Sequence, residues 1–60
     1  MTPKDKERQL FCEGCVIEAE FNLEDGSKIR LISTLKGEQY RLTYRRNKHN
    51  VFIVNQVDKL

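Results

Sequence analysis

Gly26 sits between two runs of alternating apolar and polar residues, and that arrangement constrains the chain more than any other feature. Before it, Ile17, Ala19, Phe21 and Leu23 alternate with Glu18, Glu20 and Asn22; after it, Ile29 and Leu31 alternate with Lys28 and Arg30. A period of two is the signature of a half-buried strand. A two-residue Asp25-Gly26 turn would set Phe21 against Arg30, a core residue opposite a surface one. A three-residue loop, Glu24-Asp25-Gly26, closes instead on Leu23 and Ser27 and places glycine where a bulged hairpin needs the left-handed conformation. It pairs Phe21 with Ile29 and Ala19 with Leu31, and it sets Glu20 beside Arg30 as a cross-strand ion pair. The sequence therefore predicts this register.

The next turn reads as Lys36-Gly37-Glu38. Tyr40, Leu42 and Tyr44 then alternate with Arg41, Thr43 and Arg45 as a third strand, and residues 46–50 form a polar loop. Val51 to Val54 is apolar on both faces, as in a strand covered on both sides, and continues to Leu60 with a bend at Asn55-Gln56. Ahead of the strands, Thr2 and Pro3 make a helix start, with Asp5 placed as in a capping box. A helix is expected over about residues 3–11, ending near Gly14. Sixty residues leave room for one core only. The expectation is a single mostly β domain over residues 1–60: a short helix, then four to five antiparallel strands over residues 16–60, closed as a small Sm-like or SH3-like barrel.

A core of this size supplies only roughly 3–5 kcal/mol, so a homodimer or a bound partner would add stability. No apolar run approaches the ~20 residues of a membrane span, and the first residues are too polar for a secretory signal. A cytoplasmic location is the expectation, with no membrane partner. Cys12 and Cys15 are too few for the disulfide framework of a small secreted domain.

Chemistry-bearing motifs are sparse. Cys12-Glu13-Gly14-Cys15 has the spacing of half a zinc site, yet four ligands are needed and His49 is the one further candidate, distant in sequence. The pair is read as two thiols at a helix end, with no metal and no cofactor; a zinc-linked dimer built on Cys12 and Cys15 is the third reading. His49 lies in a polar loop without a neighbour to orient it as a base. No phosphate-binding glycine loop, carboxylate pair or serine motif is present, so the chain is read as a binding protein and not an enzyme.

Charge is divided along the chain. Residues 1–27 hold three basic and seven acidic side chains; residues 28–60 hold eight basic and two acidic ones. Such asymmetry points to an interaction surface. On the expected strands Lys28 and Arg30 share an outer face, as do Arg41 and Arg45, and Arg46 and Lys48 carry the charge into the following loop. This basic sheet face is the candidate for phosphate contacts with RNA or DNA. The alternative is a protein-protein adaptor or inhibitor that uses Glu18 and Glu20 of the acidic first strand.

The segment Phe21-Asn22-Leu23-Glu24-Asp25-Gly26-Ser27-Lys28-Ile29, and Tyr40 through Leu60 with Phe52-Ile53-Val54-Asn55-Gln56-Val57 as closing strand, resemble the Sm-like small barrels, particularly Rof-type inhibitors of the transcription terminator Rho. The resemblance implies a helix before the barrel and binding to a regulatory protein through acidic residues, for which Glu18 and Glu20 are the nearest matches. The chain differs in being basic overall and in a shorter connection between the second and third strands. Leu35-Lys36-Gly37, Tyr40 to Arg45 and Val51 to Val54 are also similar to the C-terminal strands of RelE- and ParE-type toxins, whose preceding helical hairpin has no counterpart in this sequence.

Overall fold

The computed structural model describes residues 2–60. Its elements follow in order as α1 (Pro3–Glu13), β1 (Cys15–Asn22), β2 (Lys28–Thr34), β3 (Gln39–Arg46) and β4 (Phe52–Lys59). The strands form one antiparallel sheet in the order β1-β2-β3-β4. β1 and β4 are its two edges and do not pair with each other, so the expected closure into a barrel is not among the strand pairings. The sheet is open, with four strands among the described residues.

The helix begins as the sequence predicts. Thr2 stands at the N-cap, where its Oγ1 accepts the Asp5 N–H at 3.2 Å, and Pro3 opens the first turn. It runs two residues beyond the expected end because the residue that stops it is Gly14, at φ 100°, whose N–H closes on the Leu10 carbonyl at 3.2 Å.

All three strand connections use the same device. Leu23 N–H donates to the Ser27 carbonyl at 2.9 Å, Thr34 to Glu38 at 2.8 Å and Asn47 to Val51 at 2.9 Å. Each encloses three residues, and the third takes a positive φ: Gly26 at 90°, Gly37 at 84°, Asn50 at 65°. The first hairpin has the expected register, with Phe21 opposite Ile29, Ala19 opposite Leu31 and Glu20 opposite Arg30. The second turn is Leu35-Lys36-Gly37, one residue earlier than the sequence reading placed it. A Cβ at Gly26 would meet no neighbour within 4 Å, so Gly26→Ala tests the backbone alone. The left-handed conformation should cost about 1 kcal/mol net of the stiffer unfolded chain, read as a lower urea midpoint at unchanged m-value.

The second register decides which face becomes the core. Ile32 pairs with Tyr40, Arg30 with Leu42 and Lys28 with Tyr44, so the three large side chains of β3 lie on the face that carries Lys28, Arg30 and Ile32. The helix covers that face. Leu10, Ile32, Tyr40, Leu42, Tyr44 and Val54 form the buried cluster, with Cys15, Phe52 and Val57 packed against it.

This corrects the expectation that Ile17, Ala19, Phe21, Leu23, Ile29 and Leu31 line the core. Ala19, Phe21, Ile29 and Leu31 lie on the opposite, uncovered face, and Phe21 is 51% exposed. A bulge between Ile17 and Ala19 breaks the alternation of β1, bringing Ile17 opposite Ile32. A second irregularity, at Thr43/Tyr44 opposite Gln56 and Val54, bends β4 where Asn55-Gln56 was expected to bend it. β4 is not covered on both sides, since Ile53 is exposed, as is Val51 just before the strand.

Candidate nucleic-acid interface

The six basic candidates divide between the two faces of the sheet. Lys28, Arg30 and Arg46 point to the helix side; Arg41, opposite Leu31, and Arg45, opposite Ile53, point to the open side. Lys48 sits in the β3–β4 turn. The single basic face expected from the strand pattern is thus two faces, separated by the thickness of the sheet.

Acidic partners divide them further. Arg30 Nε lies 2.7 Å from Glu20 Oε1 and Lys28 Nζ 3.7 Å from the same oxygen. Arg41 holds Asp58 at 3.2 Å and Lys59 holds Glu38 at 2.6 Å. These are solvent-accessible pairs worth little stability each, but an arginine held by a carboxylate is a poorer phosphate ligand. Among the described residues, Arg45, Arg46 and Lys48 have no carboxylate within 4.0 Å. Arg45 stands near the Asp25-Gly26-Ser27 turn and helps hold the Asp25 carboxyl below its usual range, after the larger effect of the Ser27 hydrogen bonds.

On the helix side the cations are ordered by aromatic rings. Arg46 and Lys28 sit over the same Phe52 ring, 4.8 Å and 5.3 Å from its centroid, and Arg30 sits 5.2 Å over Tyr44. Cation–π attraction of this kind holds a positive group in place without consuming its charge. Lys28 and Arg46 therefore share one ring, with Lys48 at the adjacent turn. In the sequence Phe52 reads only as part of an apolar strand. Its position opposite Arg46 follows from the turn at residues 48–50, and that turn was the missing signal.

The acidic candidates also separate. Glu20 is committed to Arg30 and Lys28, whereas Glu18 is exposed at the β1 bulge. Neither Cys12, exposed, nor the half-buried Cys15 is in a disulfide, and burial raises the Cys15 thiol pKa. Among the described residues no group of three His, Cys, Asp or Glu side chains converges as metal ligands. No described helix is long and apolar enough to cross a membrane.

One buried contact ties the helix to this side. The Tyr44 hydroxyl donates to the Glu7 carboxylate and lies 3.5 Å from Arg30 Nη1. Burial, then the Glu7 bond and charge, raise the Tyr44 pKa well above its ordinary value of 10.0. The folded state therefore keeps a proton that the unfolded chain loses, so this contribution is complete below pH 10 and falls as pH rises above it. Tyr44→Phe should flatten the loss of stability above about pH 10, checked by urea midpoints across the alkaline range.

None of the family models, curated proteins or solved structures compared with this chain matches it.

Proposed function

We propose that this protein is a small non-enzymatic binding module that holds RNA or DNA by its phosphates at the β3–β4 end of the sheet, through Lys28, Arg46 and Lys48. The observation that carries the reading is the Phe52 ring with Arg46 and Lys28 at 4.8 Å and 5.3 Å. It preorders Arg46, which has no acid partner, beside Lys28, whose contact with Glu20 is the longer one at 3.7 Å and is shared with Arg30 at 2.7 Å. Arg30 and Arg41, matched by Glu20 and Asp58, drop out of the interface. Arg45 lies across the strand, on the other face.

Three phosphate contacts would give log affinity against log salt a slope near −2 to −3, a loss of roughly 20- to 40-fold between 50 and 200 mM salt. Fluorescence anisotropy with labelled single-stranded and duplex oligonucleotides measures it. Arg46→Ala and Lys48→Ala should each make the slope shallower by about 0.7 to 0.9, whatever the base sequence. Arg41→Ala should leave it unchanged. Absence of binding by the unaltered protein at low salt would contradict the reading.

The second reading is a regulatory protein partner engaged through β1. It is favoured by Glu18, exposed on an unpaired sheet edge. The resemblance to Sm-like, Rof-type inhibitors belongs to this reading. It is supported by the helix preceding an antiparallel meander and by the Asp25-Gly26 hairpin; a barrel of that type would additionally require β1 and β4 to meet. Both readings fit a cytoplasmic protein whose two cysteines remain thiols.

A further inference from the structure

The face of the sheet opposite the helix is uncovered, and its residues are arranged about β2. On β1 and β2 it presents Val16, Ala19, Phe21, Ile29, Leu31 and Ser33, with no charge among them. Val16 is 58% and Phe21 51% exposed. On β3 it presents Arg41 and Arg45, each opposite one of these apolar positions or the exposed Ile53. The surface of the chain is 4465 Å², several hundred Å² more than the about 4,100 Å² of a folded monomer of its mass. Its extents are 35 × 22 × 15 Å. The shortest is the depth of one helix layer on one sheet, and the other two outline the open face, of which β1, β2 and β3 supply somewhat less than the ~800 Å² per partner of a standard-size interface.

We infer that a second copy of this chain covers that face, sheet against sheet, about a two-fold axis running along β2. Such an axis sets β2 over β2 and puts β1 of each copy over β3 of the other. Ile29 and Leu31 then meet their own copies, and Phe21 lies over the partner's third strand. The charges match as well. Arg45 falls one residue past the level of Asn22 in the strand ladder, because Tyr44 pairs with Lys28 and Lys28 with Asn22. In the dimer it faces the acidic Glu24-Asp25 turn across the interface, and Arg41, level with Leu31 and Ala19, faces the region of Glu18. The acidic first half of the sequence and the basic second half are thereby used against each other. This assignment does not depend on nucleic-acid binding, since Lys28, Arg46 and Lys48 lie outside the interface.

Sedimentation equilibrium over a concentration series, without nucleic acid, tests it. The expected result is a twofold mass increase over the 7.1 kDa chain, with a dissociation constant in the micromolar range or tighter. Phe21→Glu and Leu31→Lys should each weaken the dimer at least tenfold, with far-UV circular dichroism showing that the protomer still folds. Arg45→Glu, an exposed change that leaves the core intact, should also weaken it, and adding Glu24→Arg to Arg45→Glu should restore it in part. A monomer at every concentration up to about 1 mM would overturn the proposal. So would a dimer indifferent to Phe21→Glu, Leu31→Lys and Arg45→Glu, which would mean pairing through the β1 or β4 edge, or a monomer whose oligonucleotide affinity falls with Phe21→Glu.

Discussion

Leu42→Ala should remove about 3 kcal/mol of folding stability, and Phe21→Ala in dilute protein about 1 kcal/mol or less. Leu42 has no exposed surface, lies in the centre of β3 and is surrounded by Ile32, Val54 and Leu10 in one buried cluster. Truncating it loses the transfer free energy of the missing carbons and leaves a cavity that a sheet held by two neighbouring strands closes poorly. Phe21 is the larger side chain but is half exposed on the uncovered face. Against a total of roughly 3–5 kcal/mol for a core of this size, Leu42→Ala leaves a marginal protein with a readily detected unfolded population at room temperature. Urea unfolding of both variants, followed by circular dichroism, is the check. Equal losses would mean that the two faces share the burden of the core, contrary to the arrangement described above.

Leu10→Ala should be nearly as damaging, by about 2–4 kcal/mol. An isolated helix of eleven residues is marginal in water, and α1 has one buried side chain, Leu10. Its other ties are Glu7 to the Tyr44 hydroxyl and Lys6, 5.3 Å over the Tyr40 ring. Both sit at the margins of the contact that Leu10 makes. Without Leu10 the helix is held by polar contacts alone, and Ile32, Leu42 and Val54 lose their cover. Loss of helical signal together with the cooperative transition is the expected outcome. A change below about 1 kcal/mol would show that the helix docks by other means.

Much of this fold is readable from the chain, and the part that was misread has a definite cause. Face matching combined with glycine chemistry gives the first hairpin to the residue. The same rule, a three-residue loop ending in the left-handed residue, places the second turn at Leu35-Lys36-Gly37 and so pairs Ile32 with Tyr40. Reading that turn one residue later hides the consequence that β3 puts its tyrosines and leucine on the side of Lys28 and Arg30. Two half-buried cations on a core face contradict a simple inside-outside pattern. They are accommodated because Glu20 pairs with both and the rings of Phe52 and Tyr44 take their other sides. The periodicity of β2 favours the other arrangement, since Ile29 and Leu31 share the open face while the helix-covered face carries Lys28 and Arg30 with Ile32 as its one aliphatic residue.

The basic candidates show the same limit. Their positions in the strands follow from alternation, but ion pairing across strands depends on register and on the bulges at residues 17–19 and 43–44. Only with the register known does it emerge that Arg30 and Arg41 are matched by acids while Arg46 and Lys48 are not. The half-buried carboxylates of these pairs contribute to acid stability in one direction. Hydrogen bonds to Gln56 and Arg41 lower the Asp58 pKa, and those to Lys59 lower that of Glu38. Their stabilisation is therefore complete above the ordinary carboxylate range and is lost as pH falls below it, through the lowered pKa values of the folded state.

The core, the cation site at Phe52 and the open face all depend on which face of the sheet the helix covers. Nuclear Overhauser contacts from the Leu10 methyl groups, in protein labelled at methyl positions, settle that point. The expected contacts run to the methyl groups of Leu42, Ile32 and Val54, with none to Ile29 or Leu31. Contacts from Leu10 to Ile29 and Leu31 would place the core on the Phe21 face and contradict the fold, the cation site at Phe52 and the dimer together.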